Sequence, residues 1–297
     1  MLKKKLCILL ALLFILSFVS CGDNSSPAAN ESSFEYSKAA LSGELTVRFL
    51  DVGQGDAILI AFPDGEFMLI DAGVYSNKRA VLDKLEKYGV ERIEYAVFTH
   101  FDADHIGAAA EVINDYKVSN VIMPDAVATS KTYDNLLSAL EEHEETKVIK
   151  GEAGYKFELG GALFEVLSPF DTEGADANET SVVLLMTYDD IHMLFMGDAE
   201  KTNEEKIVNH YGAAYIKADL IKIGHHGSST SSSSFFLLAV SPEYAVISCG
   251  EGNPYGHPTQ ETLDTLSRLG ITCFRTDTEG TVTAVTDGKK ITMLTES

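Results

Sequence analysis

The hydrophobic pattern changes period along the chain and predicts strands alternating with helices. Residues 45–50, Leu-Thr-Val-Arg-Phe-Leu, alternate as a half-buried strand does. Residues 57–62 and 67–70 are two further apolar runs, joined by the Pro63-Asp64-Gly65 turn signal. Residues 77–88 switch to helical spacing and meet Gly89, a helix-ending residue type. A short strand at 95–98 ends at Thr99-His100, and a helix over 106–115, a strand at 118–123 and a helix at 133–143 follow. The second half repeats the rhythm. It predicts strands at 162–167, 181–186 and 192–196, a helix at 200–211 and a strand at 220–223. A Ser/Thr-rich loop at 228–234 then runs into a helix through Leu238, before a strand at 244–247, a helix at 260–269 and three closing strands. Strands and helices each need one covered face, so the expected architecture is α/β, two sheets packed together with helices outside.

Ahead of these elements, Lys3-Lys4-Lys5 precedes an uncharged, almost wholly apolar run over residues 6–19. This is the charged and apolar pattern of a secretory signal. The run is short beside the roughly 20 apolar residues that a membrane span needs. It ends Phe18-Val19-Ser20-Cys21-Gly22, which resembles the bacterial lipobox, where cleavage precedes a Cys that becomes the lipidated first residue. Phe18 stands where that motif usually has Leu; the alternative is an uncleaved anchor with an incidental Cys21. The expected organisation is a signal peptide over 1–20, a Ser-, Ala- and Asn-rich tether over 21–42 and a folded domain over 43–297. Such a chain would be extracytoplasmic and lipid-anchored to the bacterial cell membrane.

At 297 residues, with 45% hydrophobic residues, the chain has ample material for a core, which excludes disorder. Its net charge of -22 gives it no generic attraction for DNA or RNA. That argues against a simple nucleic-acid-binding module and leaves nucleic acid as a substrate, held through bound metal cations. The four cysteines form no CxxC pair, so a Cys-type zinc site is not expected. Cys249 and Cys273 lie near predicted strands and read as small buried residues, with one disulfide as the alternative.

The densest chemistry is Thr99-His100-Phe101-Asp102-Ala103-Asp104-His105-Ile106-Gly107, directly after an apolar strand. Imidazole nitrogens and carboxylate oxygens suit zinc, manganese or iron. Alternate residues of an extended loop point the same way, so His100, Asp102 and Asp104 are placed to converge. The competing reading, a polar loop with Asp104 or His105 capping the next helix, leaves four ligand-type residues in six positions unexplained. Asp198 ends a strand and is placed either to bridge two cations or to cap the helix at Glu200. Asp71 reads as an orienting acceptor for a ligand His, or as a turn residue before Gly73. Asp51 reads equally as a turn or a site residue. In His225-His226 adjacent side chains should point apart, so one ligand is expected there. Lys222, two residues inside the preceding strand, is a candidate cation for an anionic substrate or a solvated edge residue. His257 sits in a Gly-Pro turn and is a candidate substrate contact or a structural hydrogen-bonding residue. His143, His192 and His210 have no comparable neighbours.

His100-x-Asp102-x-Asp104-His105 resembles the HxHxDH signature of metallo-β-lactamase-fold hydrolases, with Asp102 in place of the second His. This variant is similar to the hydrolase domain of the ComEC competence proteins and to the teichoic-acid phosphorylcholine esterases. Asp51-Val-Gly-Gln-Gly-Asp56, Leu69-Ile-Asp-Ala-Gly73, Gly197-Asp198, Lys222-Ile-Gly-His-His-Gly-Ser228 and Tyr255-Gly-His-Pro258 agree with that branch in order. The resemblance spans about residues 45–295. It implies a four-layer αββα sandwich that holds one or two divalent ions, Zn or Mn. Implied ligands are His100, Asp102, Asp104, His105, Asp198 and His226, with Asp71 and Asn178 in support. Asn178 stands where many members carry a further His ligand. Asp104, His225, Lys222 and His257 are the implied catalytic set. The expected activity is hydrolysis of a phosphodiester or other small anionic substrate by activated water; β-lactam hydrolysis fits the Asp102 and Asn178 departures less well. The alternative is a non-catalytic surface lipoprotein linked to DNA uptake.

Overall fold

The computed structural model describes residues 43–296, so the expected signal peptide, lipidated Cys21 and tether lie outside the described residues. In chain order, β1 (Leu45–Phe49), β2 (Ile58–Ala61), β3 (Phe67–Ile70), β4 (Arg92–Val97), β5 (Lys117–Met123) and β6 (Lys147–Lys150) enter one sheet. A second sheet takes β7 (Lys156–Leu159), β8 (Ala162–Ser168), β9 (Val183–Tyr188), β10 (Ile191–Phe195), β11 (Leu220–Lys222), β12 (Tyr244–Ile247) and β13 (Thr272–Arg275). The chain then returns to the first sheet with β14 (Val282–Thr286) and β15 (Ile291–Thr295). The strand orders are β15-β14-β1-β2-β3-β4-β5-β6 and β13-β12-β11-β10-β9-β8-β7.

Strand alternation explains the layering. Leu45, Val47 and Phe49 of β1 join Phe164, Val166, Met193 and Phe195 in a core between the sheets. The opposite faces carry the helices. Leu59, Leu69 and Ala96 pack on Val81 and Leu85 of α1 (Lys78–Lys87) and on the short α2 (Ala103–Ile106) and α3 (Ala109–Asp115), with α4 (Lys131–Glu142) alongside. Leu185, Leu194 and Ile221 pack on α5 (Lys201–Tyr211), α6 (Ser234–Val240) and α7 (Gln260–Leu269). This is the expected αββα sandwich.

The helices are also crossovers between parallel neighbours. The β3–β4, β4–β5 and β5–β6 pairs are parallel, as are β10–β11, β11–β12 and β12–β13. A parallel pair needs a long connection, and a helix supplies it. Parallel strands therefore end on the same side, and the loops after β3, β4, β10, β11 and β12 meet at one end of the molecule. Open parallel sheets place their sites at the carboxyl ends of their strands for this reason.

Two local features depart from the sequence pattern, and the cysteines follow the expected one. The helix expected over 106–115 is two short helices broken at Gly107-Ala108. The Gly107 and Ala108 amides donate to Gly73 O at 2.7 Å and Ala72 O at 3.3 Å, on the loop after β3, and so leave the helical ladder. A side chain on Gly107 would overlap the Gly73–Tyr75 backbone. β6 and β7, Lys-Val-Ile-Lys and Lys-Phe-Glu-Leu, are edge strands that the pattern does not single out, because their charged residues mask four-residue runs. Charged edges of this kind resist pairing with other chains. Cys249 and Cys273 are free thiols, which burial pushes up to about 12.

Glu296 closes the end of the chain onto α1, accepting hydrogen bonds from Lys87 Nζ at 2.8 Å and Tyr88 Oη at 2.6 Å, with Lys84 Nζ at 3.8 Å. Burial opposes its charge, but these partners hold the carboxyl down at about 2. The folded value lies below the unfolded one, so the contribution is complete above the unfolded value near 4.3 and fades as pH falls towards 2. Glu296→Gln is expected to lose about 1 kcal/mol at pH 7. In urea unfolding, the difference between wild type and variant should shrink steadily from pH 5 to pH 3.

Candidate metal centre

The first half of the chain contributes a loop that is fastened from behind. Asp71, at the end of β3, adopts a left-handed φ of 59° that aims its carboxylate across to the loop after β4. It accepts from Thr99 N at 2.8 Å, from Thr99 Oγ1 at 2.7 Å and from His105 Nδ1 at 2.8 Å. Since Asp71 accepts at Nδ1, the proton sits there and the His105 Nε2 lone pair faces the site. Asp56, on the loop between β1 and β2, is fixed by Asp56 N donating to Asp104 O at 3.1 Å and Gly73 N donating to Asp56 O at 2.7 Å.

The second sheet brings the rest. Asp198 follows β10, and its amide donates to Ser181 Oγ at 3.2 Å. Its side chain does not cap α5; the capping position is Glu200. After β11 the chain makes a short turn in which His225 (φ 48°) and His226 (φ 52°) are both left-handed. Two successive left-handed residues cancel the alternation expected of adjacent side chains. His225 Nε2 lies 3.8 Å and His226 Nε2 3.5 Å from Asp198 Oδ2. His226 Nδ1 donates to Ser248 O at 2.8 Å, which leaves its Nε2 facing inward.

Asp56, His105, Asp198 and His226, all buried, each offer a ligand atom within 4.8 Å of the others. His105 Nε2 lies 3.2 Å from His226 Nε2 and 3.2 Å from Asp198 Oδ1, and His226 Nε2 lies 3.2 Å from Asp104 Oδ2. Ligands about 2.1 Å from a tetrahedral ion stand about 3.4 Å apart, so this donor set fits a divalent cation. Asp198 Oδ1 is buried without a hydrogen-bond partner, as a ligand atom would be. Asp56 faces the Nδ1 side of His226, at 3.3 Å, and is paired with the Lys222 ammonium. Asp56 Oδ1 is, like Asp198 Oδ1, buried without a hydrogen-bond partner, so Asp56 both offers a ligand atom and braces His226, while Asp104 adjoins the set through His226. A second, looser set adjoins: His100 Nε2, buried and without a hydrogen-bond partner, lies 3.8 Å from Asp102 Oδ2 and 3.9 Å from Asp198 Oδ2.

The electrostatics follow from burying this much charge. Burial opposes ionisation, but Asp198 and Asp56 hold the His226 imidazolium up at about 10, and Asp198 with Asp71 raises His105. Asp198 is held well below the carboxylate range against burial by His105 and His226. His100 goes the other way, down to about 3, through burial and the neighbouring His105. Histidine protons here take the part of a cation, and a metal entering the set displaces them.

Among the remaining expected residues, Lys222 is fully buried, with Leu220 of the same strand face in the inter-sheet core. Its Nζ pairs with Asp56 and donates to Gly197 O at 3.3 Å, so its charge reaches the site through Asp56. It is not on a solvated edge. Asn178 Nδ2 donates to Glu200 Oε1 at 3.2 Å and lies 3.5 Å from His225 Nδ1, away from His100. The His257 ring stands 5.4 Å from that of His225, and its Nδ1 is buried without a partner. Asp51 Oδ1 accepts from Gly53 N at 3.2 Å, which is the turn role. Two residues were not singled out by sequence reasoning as site residues. Asp56 was read only as part of a Gly-rich fingerprint. Glu200, read as a helix start, accepts from His225 Nδ1 at 3.2 Å and orients it; one carboxylate at a helix start carries no sequence signal of that kind.

Comparison with known proteins agrees with this fold. The Metallo-beta-lactamase superfamily profile matches residues 50–251. The chain is 32% identical to ComE operon protein 3 of Bacillus subtilis (strain 168), over 82% of this chain and 33% of that protein. It is 30% identical to Competence protein ComA of Neisseria gonorrhoeae, over 82% of this chain and 32% of that one. It therefore spans about a third of the length of these curated relatives. Among solved structures, the metallo-beta-lactamase fold protein YhfI from Bacillus subtilis superimposes with a TM-score of 0.54 at 13% identity, over 82% of this chain and 100% of that one. A diphosphatase from the PhnP family superimposes with a TM-score of 0.50 at 14% identity, over 82% and 98%. These two likenesses show the fold.

Asp71→Asn keeps an acceptor for Thr99 N and loses the carboxylate behind His105. It is expected to weaken binding of Zn²⁺ or Mn²⁺ by about 10–100-fold, as loss of an orienting partner does. Competition with a chromophoric chelator reads this directly, with circular dichroism expected to be unchanged.

Proposed function

The chain belongs to the metallo-beta-lactamase superfamily, and on that premise we propose that it is an exported, membrane-tethered, metal-dependent phosphodiesterase. The observation that carries the reading is the convergence of Asp56, His105, Asp198 and His226, with Asp104 against His226, beside a His225–Glu200 pair. A divalent cation held by those four supplies Lewis acidity, which makes water a stronger acid near neutral pH and draws charge from a phosphoryl oxygen. His100 and Asp102 would hold a second ion.

The chain's own residues then divide the proton work. Asp104 is held well below the ordinary carboxylate value against burial, by a hydrogen bond from His226 and the charge of His105, so it is ionised and would orient the attacking water by accepting a hydrogen bond from it, the water's proton passing to solvent. The water oxygen bonds to phosphorus as the ester P–O bond breaks. The departing oxygen needs a proton, and His225 presents Nε2 while Glu200 holds its Nδ1. His257, lowered by burial and by the neighbouring His225, stays neutral beside it as a hydrogen-bonding contact for substrate. An intact donor set favours catalysis over an accessory role. The relatives' competence names bring nucleic-acid phosphodiesters into view as one substrate class. A net charge of -22 favours smaller anions.

Export and tethering rest on Lys3-Lys4-Lys5, the apolar run over 6–19 and Cys21. Labelled palmitate supplied to expressing bacteria should be incorporated into the chain and lost in Cys21→Ser. An unlabelled wild-type chain in the membrane fraction would defeat the tether.

Hydrolysis of bis(p-nitrophenyl) phosphate tests the activity. Chelator-stripped protein is expected to be inactive and to recover with Mn²⁺ or Zn²⁺. Asp104→Ala should lower the recovered rate by about 10²-fold or more. Folded protein that turns over no diester with either metal would defeat the reading.

A further inference from the structure

Beside the metal centre lies a cleft of about 620 Å³ that holds no basic side chain. It starts at Phe101 and Asp102 and runs between the connection from β5 to α4, at Ala126, Val127 and Ala128, and the segment before β9, at Ala177. Asp102 is the one titratable residue on its walls, and it belongs equally to the site, 3.8 Å from His100 Nε2. The cleft is thus continuous with the donor set, and its size is that of a small-ligand pocket.

Three of its hydroxyl side chains are already engaged. Thr172 Oγ1 donates to Asp125 O at 2.5 Å and Thr180 Oγ1 to Ala177 O at 2.7 Å, while Ser130 Oγ accepts from Tyr133 N at the start of α4. What faces the space is about equally polar and hydrocarbon, with no cationic group. The Phe101 ring is braced on Tyr133 at 4.6 Å, and Val127 is held at 87% exposure with no apolar neighbour to cover it. Exposed Asp125, Asp171, Glu173 and Asp176 flank these walls, against Lys131 and against Lys150, which pairs with Asp125 at 3.4 Å. Such a rim repels a polyanionic strand.

We propose that this cleft is the subsite for one ester arm of the substrate and that it selects an uncharged arm large enough to fill it. The substrate is then a small diester with a single phosphate charge, not a nucleic-acid strand. This rests on the phosphodiesterase reading above. The arm in the cleft is the one that stays on phosphorus, because a leaving oxygen needs a proton donor, and that donor, His225, stands outside the cleft walls.

Three diesters that share p-nitrophenolate as leaving group test this, with methyl, phenyl or 4-carboxyphenyl as the retained arm. The full chain is loaded with Mn²⁺, and each kcat/KM is divided by the uncatalysed rate. Phenyl is expected to exceed both methyl and 4-carboxyphenyl by at least about tenfold, the worth of a well-filled pocket. Ala128→Lys should raise the 4-carboxyphenyl diester by about tenfold, a gain that misfolding cannot mimic. Equal values for phenyl and methyl, an unmoved 4-carboxyphenyl value in Ala128→Lys, or faster cleavage of a single-stranded oligodeoxynucleotide would overturn the cleft assignment while leaving the diesterase standing. No turnover of any diester would overturn both.

Discussion

A buried carboxylate holds the catalytic end of this molecule in register. Asp71 is fully buried, and its charge is tolerable only because Thr99 and His105 meet it with three donors. Burial still pushes its carboxyl up, with His105 and Thr99 pulling the other way. The consequence is directional. The left-handed backbone at Asp71 turns the chain so that Ala72 N donates to His105 O at 2.7 Å while the side chain fixes the His105 ring. Backbone and side chain thus locate the same residue twice, and a ligand held this way keeps its lone pair aimed without help from the metal.

The other constraint is the Lys222–Asp56 pair, which joins the two sheets where their cores meet the site. Leu220 lies on the inter-sheet face, so Lys222, two residues later, must point the same way. A buried pair of this sort contributes little net stability, because the cost of removing two charges from water offsets their attraction. Its value lies in position. Asp56 sets the far side of His226, at 3.3 Å from Nδ1, while Lys222 Nζ reaches Gly197 O, next to Asp198. One ion pair therefore fixes groups from both sheets against each other.

Much of the fold was legible because its signals are local. The alternation in residues 45–50, the Pro63-Asp64-Gly65 turn and the helical spacing at Gln260–Leu269 each state their element within a few positions. The site loop was legible for the same reason, since four ligand types within six residues after a strand admit few other readings. What escaped is what only tertiary contact decides. Nothing in Ile106-Gly107-Ala108 says that the Gly107 amide will prefer Gly73 O to its own helix. The strand rule that adjacent side chains point apart failed at His225-His226, because both residues are left-handed. Glu200 and Asp56 became site residues through partners 25 and 170 positions away, His225 and His226.

Charge balance joins these observations. Asp56 is matched by Lys222, and Asp71 is satisfied by the donors behind His105. Asp104 and Asp198 remain, two carboxylates beside His105 and His226, and a single divalent ion held there by neutral imidazoles would balance them. The protonated histidines of the metal-free cluster supply the same two charges, which is why His105 and His226 are both raised. A second ion would find only Asp102 as a further carboxylate, half-exposed and 3.8 Å from His100. Asn178, turned instead to Glu200 and His225, adds no charge there. The second position is therefore the weaker one and the one beside the cleft, which Asp102 lines. A substrate phosphate lying across it would contribute the anionic oxygen that this chain, with Asp102 alone, does not supply.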